Sequence, residues 1–317
     1  MITPDIYFEN VPKTLINNTI KIIVMIKTFS HLKELGREAV KAYFQAHALD
    51  DFDRARIALI RGDIRPPTLT TEDFDRICSN LGLSYKALSE IIGVSDQGVS
   101  RPYQCYDEEG VLRWCKGNHT GLRSLLSEWV CARVAQRLGI PVPPCDILRL
   151  DPVRFQDWAR CQGERVPPLV TETNPYVFAS TNVADSKDVI DIERDLRCDD
   201  PVLLARICLF DELVHNTDRT DGNTNLLSNA GVHVIDHNNA FDPAFDREAF
   251  RREHALRRFA PADGHPLVAS FAAQVREVVT ERFLDEVWSE MPAAWTEAGC
   301  ESLTPEIVKR VLLREDF

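Results

Sequence analysis

One stretch constrains this 317-residue chain more than any other. An apolar run at 201–214 leads into His215-Asn216-Thr217-Asp218-Arg219-Thr220-Asp221-Gly222-Asn223-Thr224-Asn225, and the apolar pair Leu226-Leu227 follows. A turn at 228–231 then connects to Val232-His233-Val234-Ile235, which delivers Asp236 and His237-Asn238-Asn239-Ala240-Phe241. The first run has the length of a helix, and the short apolar pieces after it have the length and turn chemistry of a hairpin. The layout expected is helix, polar loop, strand, turn, strand, acid. Asn, Asp, Gly and Thr favour turns anyway, so the loop's composition says little by itself. An acid placed directly after a buried strand says more, because a plain turn does not need it.

The spacing sharpens this. Asn223 stands five residues after Asp218, and Asp236 stands eighteen after it. Both separations match the catalytic Asp, the metal-binding Asn and the metal-binding Asp of protein kinases. Phosphoryl transfer from ATP asks the protein mainly to orient the attacking hydroxyl and to clamp phosphates and metal. Magnesium prefers oxygen ligands, usually one or two carboxylates with phosphates and water. Such a site also needs a lysine for the nucleotide phosphates and an acid that holds the lysine. Lys116 ends an expected strand at 111–115, and Glu128 follows on an expected helix at 122–138, where Leu122, Leu126, Val130, Val134 and Leu138 share one face. Taken alone, this pair reads more simply as a surface Lys and a surface Glu. The downstream trio gives it meaning.

Residues 84–102 admit two readings. As a helix-turn-helix, Leu88 and Ile92 face a core, Gly93 makes the turn and 72–82 supply a preceding helix. As the roof of a nucleotide site, 88–94 form a strand and 93–101 form a loop. There Gly93, Ser95, Gly98 and Ser100 offer amides and hydroxyls to phosphate. The roof is favoured because no other segment at short range upstream of Lys116 provides one. Charge points the same way. The net charge of −12 argues against broad nucleic-acid binding.

Five stretches together resemble the HipA-like kinases, particularly the compact branch lacking an extra N-terminal subdomain. They are VLRWCKG (111–117), LLSEWVCARVAQRLGIPVP (125–143), FDELVHNTDRTDGNTNLL (210–227), VIDHNNAF (234–241) and EMPAAW (290–295). The resemblance covers residues 88–317 and implies an α+β, two-lobed protein-kinase-like fold with a small β-rich N-lobe and a helical C-lobe. It implies Ser/Thr kinase activity with ATP and Mg2+, a protein hydroxyl as acceptor, and often a toxin role with an antitoxin partner. By position, Asp218 would orient or deprotonate the hydroxyl, Asn223 and Asp236 would hold Mg2+, and Lys116 would contact phosphates with Glu128 orienting it. Arg219 resembles the family's Arg after the catalytic Asp and is grouped with it as catalytic. Ser95 and Ser100 are hypothetical autophosphorylation sites of the loop. Two departures matter. Thr220 stands where longer members often have His. His237 and Asn238 replace the Phe-Gly of protein kinases, so activation by a Phe flip is not expected.

The domains expected are a mostly helical N-terminal extension (1–83), an N-lobe (84–165) and a C-lobe (166–317). Residues 1–35 lack Arg, Ala and Gly, which marks either a separate segment or an over-long start with Met25 as the true one. Helical spacing recurs at 31–62, 201–214, 266–291 and 305–314, whereas 151–200 look loop-rich with an acidic run from 185. Nine cysteines with no C-x-x-C pair fit reduced thiols in a cytoplasmic protein, and the apolar stretch at 15–26 is too short to span a bilayer. Arg247, Arg251, Arg252, Arg257 and Arg258 form a basic cluster that reads as a solvated helix face or a receptor for an acidic or phosphorylated segment. Trp129, Trp288 and Trp295 read as packing residues, and His215 as a shaper of the loop. Three rival functions remain: a small-molecule kinase, a DNA-binding regulator using 72–101 with a degenerate kinase domain, and a catalytically silent nucleotide-binding partner.

Overall fold

The computed structural model describes residues 85–95, 100–162, 166–196, 200–229, 231–298, 300–315 and 317. The expected N-terminal extension, the helix at 31–62, the helix at 72–82, Met25 and Gly98 lie outside these residues.

Five antiparallel strands form one sheet. They are β1 (Leu88–Val94), β2 (Tyr103–Asp107), β3 (Leu112–Lys116), β4 (Cys145–Arg149) and β5 (Tyr176–Thr181), in the order β1-β2-β3-β5-β4. Between β3 and β4 the chain forms α1 (Leu122–Leu138), which packs against β5. Leu125, Leu126, Val130, Val134 and Leu138 of α1 are all nearly inaccessible to solvent. Burying each contributes roughly 1.5–3 kcal/mol. Gly139 ends the helix in the left-handed conformation (φ +71°), and its N–H returns to Ala135 O and Gln136 O. A short helix, α2 (Pro152–Cys161), starts on an Asp151 cap and buries Phe155 with the side chains of the opposite sheet face.

The helical lobe follows. A short turn of helix, α3 (Ile192–Asp195), precedes α4 (Pro201–Leu213), whose N-terminus is capped by Asp200. A small sheet pairs β6 (Lys187–Asp188), β7 (Leu226–Ser228) and β8 (Val232–Val234) in sequence order. Then come α5 (Arg247–Glu253), α6 (Pro266–Val278), α7 (Glu281–Ser289), α8 (Ala293–Thr296) and α9 (Pro305–Leu312). A continuous apolar cluster runs from α1 and the inner sheet residues Ile147 and Phe178 into α4, α6, α7 and α9. The fold is the expected two-lobed, protein-kinase-like α+β arrangement.

Three expectations change. The segment 151–200 is not mainly loop. It holds α2 and the strand β5, which pairs with both β3 and β4. β5, beyond the expected boundary at 165/166, completes that sheet. The expected helix at 266–291 is two helices, since Thr280 leaves the helical path and its hydroxyl caps α7 by accepting the Phe283 N–H. The helix-turn-helix reading also falls: Leu88 and Ile92, its core-facing helical positions, lie in β1, paired with β2.

Candidate active site

Side chains alternate across a strand. On β3 this places Cys115 on the α2 side, buried with Val177 and Ala179, and Lys116 on the α1 side. Lys116 is 8% exposed. Its Nζ lies 2.5 Å from Glu128 Oε1, in the middle of α1, and 2.7 Å from Asp236 Oδ1, just past β8. The other Glu128 oxygen, Oε2, accepts the His237 backbone N–H at 3.1 Å. Glu128 thus holds both the lysine and the chain that follows Asp236. Charges this deep persist only when paired and hydrogen-bonded.

Burial alone would pull the Lys116 ammonium down, but the carboxylates of Glu128 and Asp236 outweigh it and raise its pKa. Burial also works against ionised Asp236, and Lys116 beside it reverses that and holds the carboxyl below its ordinary value. Glu128 differs. Burial and the nearby Asp236 charge push its carboxyl up further than Lys116 pulls it down.

The second wall is irregular backbone. Four of the six non-glycine residues with positive φ among the described residues lie here: His215 (+54°), Asn225 (+49°), Asp236 (+59°) and Phe241 (+60°). Such conformations cost energy and persist only where surrounding contacts impose them. Those contacts are present. Ile235 N–H donates to Asn225 O at 3.0 Å, and Phe241 N–H donates to Val214 O at 2.7 Å. Arg123 of α1 donates to Ala240 O at 2.8 Å and to Phe241 O at 3.1 Å. The His215 ring stacks on Phe245 with centroids 4.2 Å apart.

Within the loop, Thr220 and Asn223 exchange two backbone hydrogen bonds of 3.0 Å, forming a tight turn. Asn223 Nδ2 donates to Asp218 O at 3.2 Å, so its amide oxygen is the end left for a cation. Asn225 Nδ2 lies 3.5 Å from Asp218 Oδ2. The structure therefore gathers Lys116, Glu128 and Asp236 in one group and Asp218 and Asn223 in another. Asn225 links them, because it touches Asp218 and also accepts the N–H of Ile235.

These oxygens suit a hard cation. Asn238 Oδ1, two residues past Asp236, is buried with no hydrogen-bond partner among the described residues. An orphaned acceptor beside a carboxylate is a natural place for a cation or its water. Among the described residues, no group of three or more His, Cys, Asp or Glu side chains is placed to hold a metal ion by itself. A cation here would rest on few protein oxygens and complete its shell from phosphate and water, as Mg2+ does.

Arg219 is not where a catalytic residue belongs. It is wholly buried, with Nε 2.6 Å from Asp211 Oδ2. It faces the protein interior beneath the loop, so a role at the reacting atoms does not fit it. Asp211 on α4, His237 and His254 surround it, and sequence reasoning gave none of these a supporting role. The available signal was Asp211 itself, one of three charged residues, with Arg206 and Glu212, in a mostly apolar run. Burial and the adjacent Arg219 charge lower the His237 pKa to about 4, although Asp211 and Asp236 pull the other way. Burial opposes ionisation of Asp211, but Arg219 and His254 hold its carboxyl far below the ordinary range.

The roof segment is partly described. Gly93, expected where the strand 88–94 and the loop 93–101 overlap, lies within β1 at a register irregularity opposite Gln104. The loop begins at Ser95, whose N–H donates to Pro102 O at 2.9 Å. Ser100 O lies 2.9 Å from His119 Nε2, which pins the loop's end to the segment just after Lys116. Of the arginine cluster, Arg247 and Arg251 bond to Glu212 and Asp263, and Arg257 lies 2.8 Å from Asp221. Trp295 is fully buried and donates to Asn174 Oδ1 at 3.0 Å.

A lysine on an inner strand, clasped by a helix glutamate and facing an acid beyond a hairpin, belongs to the protein-kinase-like class of folds. The family model of the HipA-like kinases matches residues 88–315, and the chain belongs to that family. No curated protein matches it. Among solved structures, the Rio2 kinase of Chaetomium thermophilum, in an ADP/Mg2+-phosphoaspartate complex, aligns over 78% of this chain and 86% of that chain, at 11% identity and a TM-score of 0.34.

Proposed function

We propose that this kinase transfers the γ-phosphoryl group of ATP to a Ser or Thr hydroxyl of a protein, with Mg2+ as cofactor. One observation carries the reading: Lys116 of the sheet lobe meets Asp236 of the helical lobe at 2.7 Å, under the hold of Glu128. In this reading Lys116 binds nucleotide phosphates and Glu128 keeps it pointed at them. Asn223 and Asp236 hold the metal, and Asp218 orients the acceptor hydroxyl and takes its proton. Bound Mg2+ supplies charge neutralisation of the phosphates. The loop between β1 and β2, with Ser95 and Ser100 at its two ends, covers the phosphates. Family membership supports a protein acceptor and an antitoxin partner. A cytoplasmic location belongs to the same reading, supported by seven free cysteines among the described residues. Among the described residues no helix is long and apolar enough to cross a membrane.

The test uses the full chain. ATP with Mg2+ should raise its melting temperature, and labelled γ-phosphate should appear on a protein acceptor. Asp218→Ala and Asp236→Ala should each cut transfer by about 10³-fold or more while leaving the fold intact. Transfer to a small metabolite and to no protein would sink the protein acceptor. Absence of Mg2+-dependent stabilisation by ATP would sink the nucleotide reading altogether.

A further inference from the structure

Beneath the site lies a polar knot with no role in the chemistry above. A guanidinium carries five N–H groups in a rigid plane. Arg219 has an acceptor for each. Nε donates to Asp211 Oδ2 at 2.6 Å, and Nη2 faces Asp211 Oδ1 at 3.3 Å and His237 Nε2 at 3.4 Å. Nη1 donates to Thr224 O at 2.8 Å and Asn225 O at 2.6 Å. Asp211 is saturated in turn. Its Oδ1 also accepts from Asn216 Nδ2 at 2.8 Å, and its Oδ2 pairs with His254 Nε2 at 3.0 Å. His254 Nδ1 accepts the Leu256 N–H at 3.1 Å, which makes Nε2 the donor toward Asp211. The chain beside His254 grips the loop as well, with Ala255 N–H donating to Arg219 O at 2.9 Å.

The points of attachment are telling. Arg219 follows Asp218, Thr224 follows Asn223, and His237 follows Asp236. The knot therefore touches the chain one residue beyond each member of the candidate trio. All of it is buried: Asp211 and Arg219 are 0% exposed and His237 and His254 are 2%. A fully satisfied buried network rigidifies what it joins.

We propose that Arg219, clamped by Asp211 and His254, is a positioning residue that sets the relative placement of Asp218, Asn223 and Asp236. This rests on the function proposed above. It makes the Mg2+ affinity of the site depend on side chains that touch neither metal nor nucleotide. Supporting partners of this kind are worth about 10–100-fold in metal affinity. Lysine cannot replace Arg219, because an ammonium has three donors and no plane.

The experiment measures, on the full chain and well below its melting temperature, the Mg2+ concentration that gives half-maximal ATP binding. Arg219→Lys should need about 10–100-fold more Mg2+, with metal-free ATP binding at Lys116 unchanged. A merely structural arginine would lower the melting temperature and leave the Mg2+ requirement alone. Should Arg219→Lys not fold, two changes at His254 carry the test. His254→Phe, which removes the donor to Asp211, should raise the requirement about tenfold, and His254→Gln, which keeps a donor, should restore it. A folded Arg219→Lys, or His254→Phe in its place, within about twofold of wild type would overturn the proposal. So would His254→Gln being as impaired as His254→Phe. A wild-type protein with no Mg2+-dependent ATP binding overturns the kinase reading itself; wild-type binding with unmoved variants overturns only the positioning role.

Discussion

Lys116 and Asp236 come within 2.7 Å of each other, yet the backbones that deliver them are built by different means. The lysine sits on a strand whose neighbours on both sides, β2 and β5, hold it in a regular hydrogen-bond ladder. Strand alternation decides which way it points, and packing of α1 supplies its partner. Asp236 sits at φ +59°, in a region of backbone that ordinary side chains avoid. No ladder imposes that conformation. The irregular wall is held by side-chain hydrogen bonds instead: Glu128 accepts the His237 N–H, Arg123 of α1 donates to the carbonyls of 240 and 241, and Arg219, within the loop itself, donates to those of 224 and 225. The sheet wall is rigid by periodicity. The loop wall is rigid only while its polar supports stay in place.

That contrast can be broken from either side. The largest expected effect is Gly117→Ala, directly after β3. A Cβ there would lie 1.9 Å from Leu169 O, a backbone atom that also accepts the Asn118 N–H. The chain would have to move, and we expect a loss of about 3 kcal/mol or more in chemical denaturation. A stability within error of wild type would show that the segment after β3 is not fixed as described.

Glu128→Gln comes next. It removes the anion that clasps Lys116 while keeping the shape and a hydrogen-bonding group. We expect a fall in phosphoryl transfer of about 10²-fold with a much smaller change in melting temperature. An unchanged rate would mean that Asp236 alone suffices to orient Lys116.

Acid gives the smallest effect, and His237 is the loop-wall group through which it acts. His237 is neutral in the folded state because burial depresses its pKa to about 4. The unfolded chain takes up that proton near an ordinary value of about 6.5, so it binds more protons than the folded chain between those limits. Stability is then full above pH 6.5 and falls as pH drops toward 4. From pH 7 to 5.5 the loss from this group is about 1 kcal/mol. Asp211 acts in a lower window: its folded pKa is depressed, so its contribution fades only below an ordinary carboxylate pKa near about 4. Denaturation midpoints between pH 7 and 5.5 check this, with His237→Gln as the variant in which the slope should flatten.

The pieces that were legible in the sequence share a property: each depends on near neighbours in the chain. The helix at 122–138 followed from its apolar spacing and was found with those bounds. The strand ending at Lys116 and the hairpin before Asp236 followed from short apolar runs between turn residues. The strand Tyr176–Thr181 did not. It lies among polar loops, and its place in the sheet is set by β3 and β4, whose sequences lie some distance upstream. Gly93 was expected where strand and phosphate loop overlap, and pairing with β2 carries the strand through it.

Arg219 shows the division most clearly. Sequence alone determined that an Arg follows Asp218, and that Asn223 and Asp236 stand at kinase spacing from it. Spacing is a property of the chain, so the trio could be named before any fold was seen. Sequence could not determine which way the Arg points. Its five acceptors come from α4, from the end of the loop and from the irregular segment just past β8, and only tertiary structure brings these together. A charged group goes to the interior only when enough partners wait there, and partners gathered from distant segments are what a linear sequence does not display.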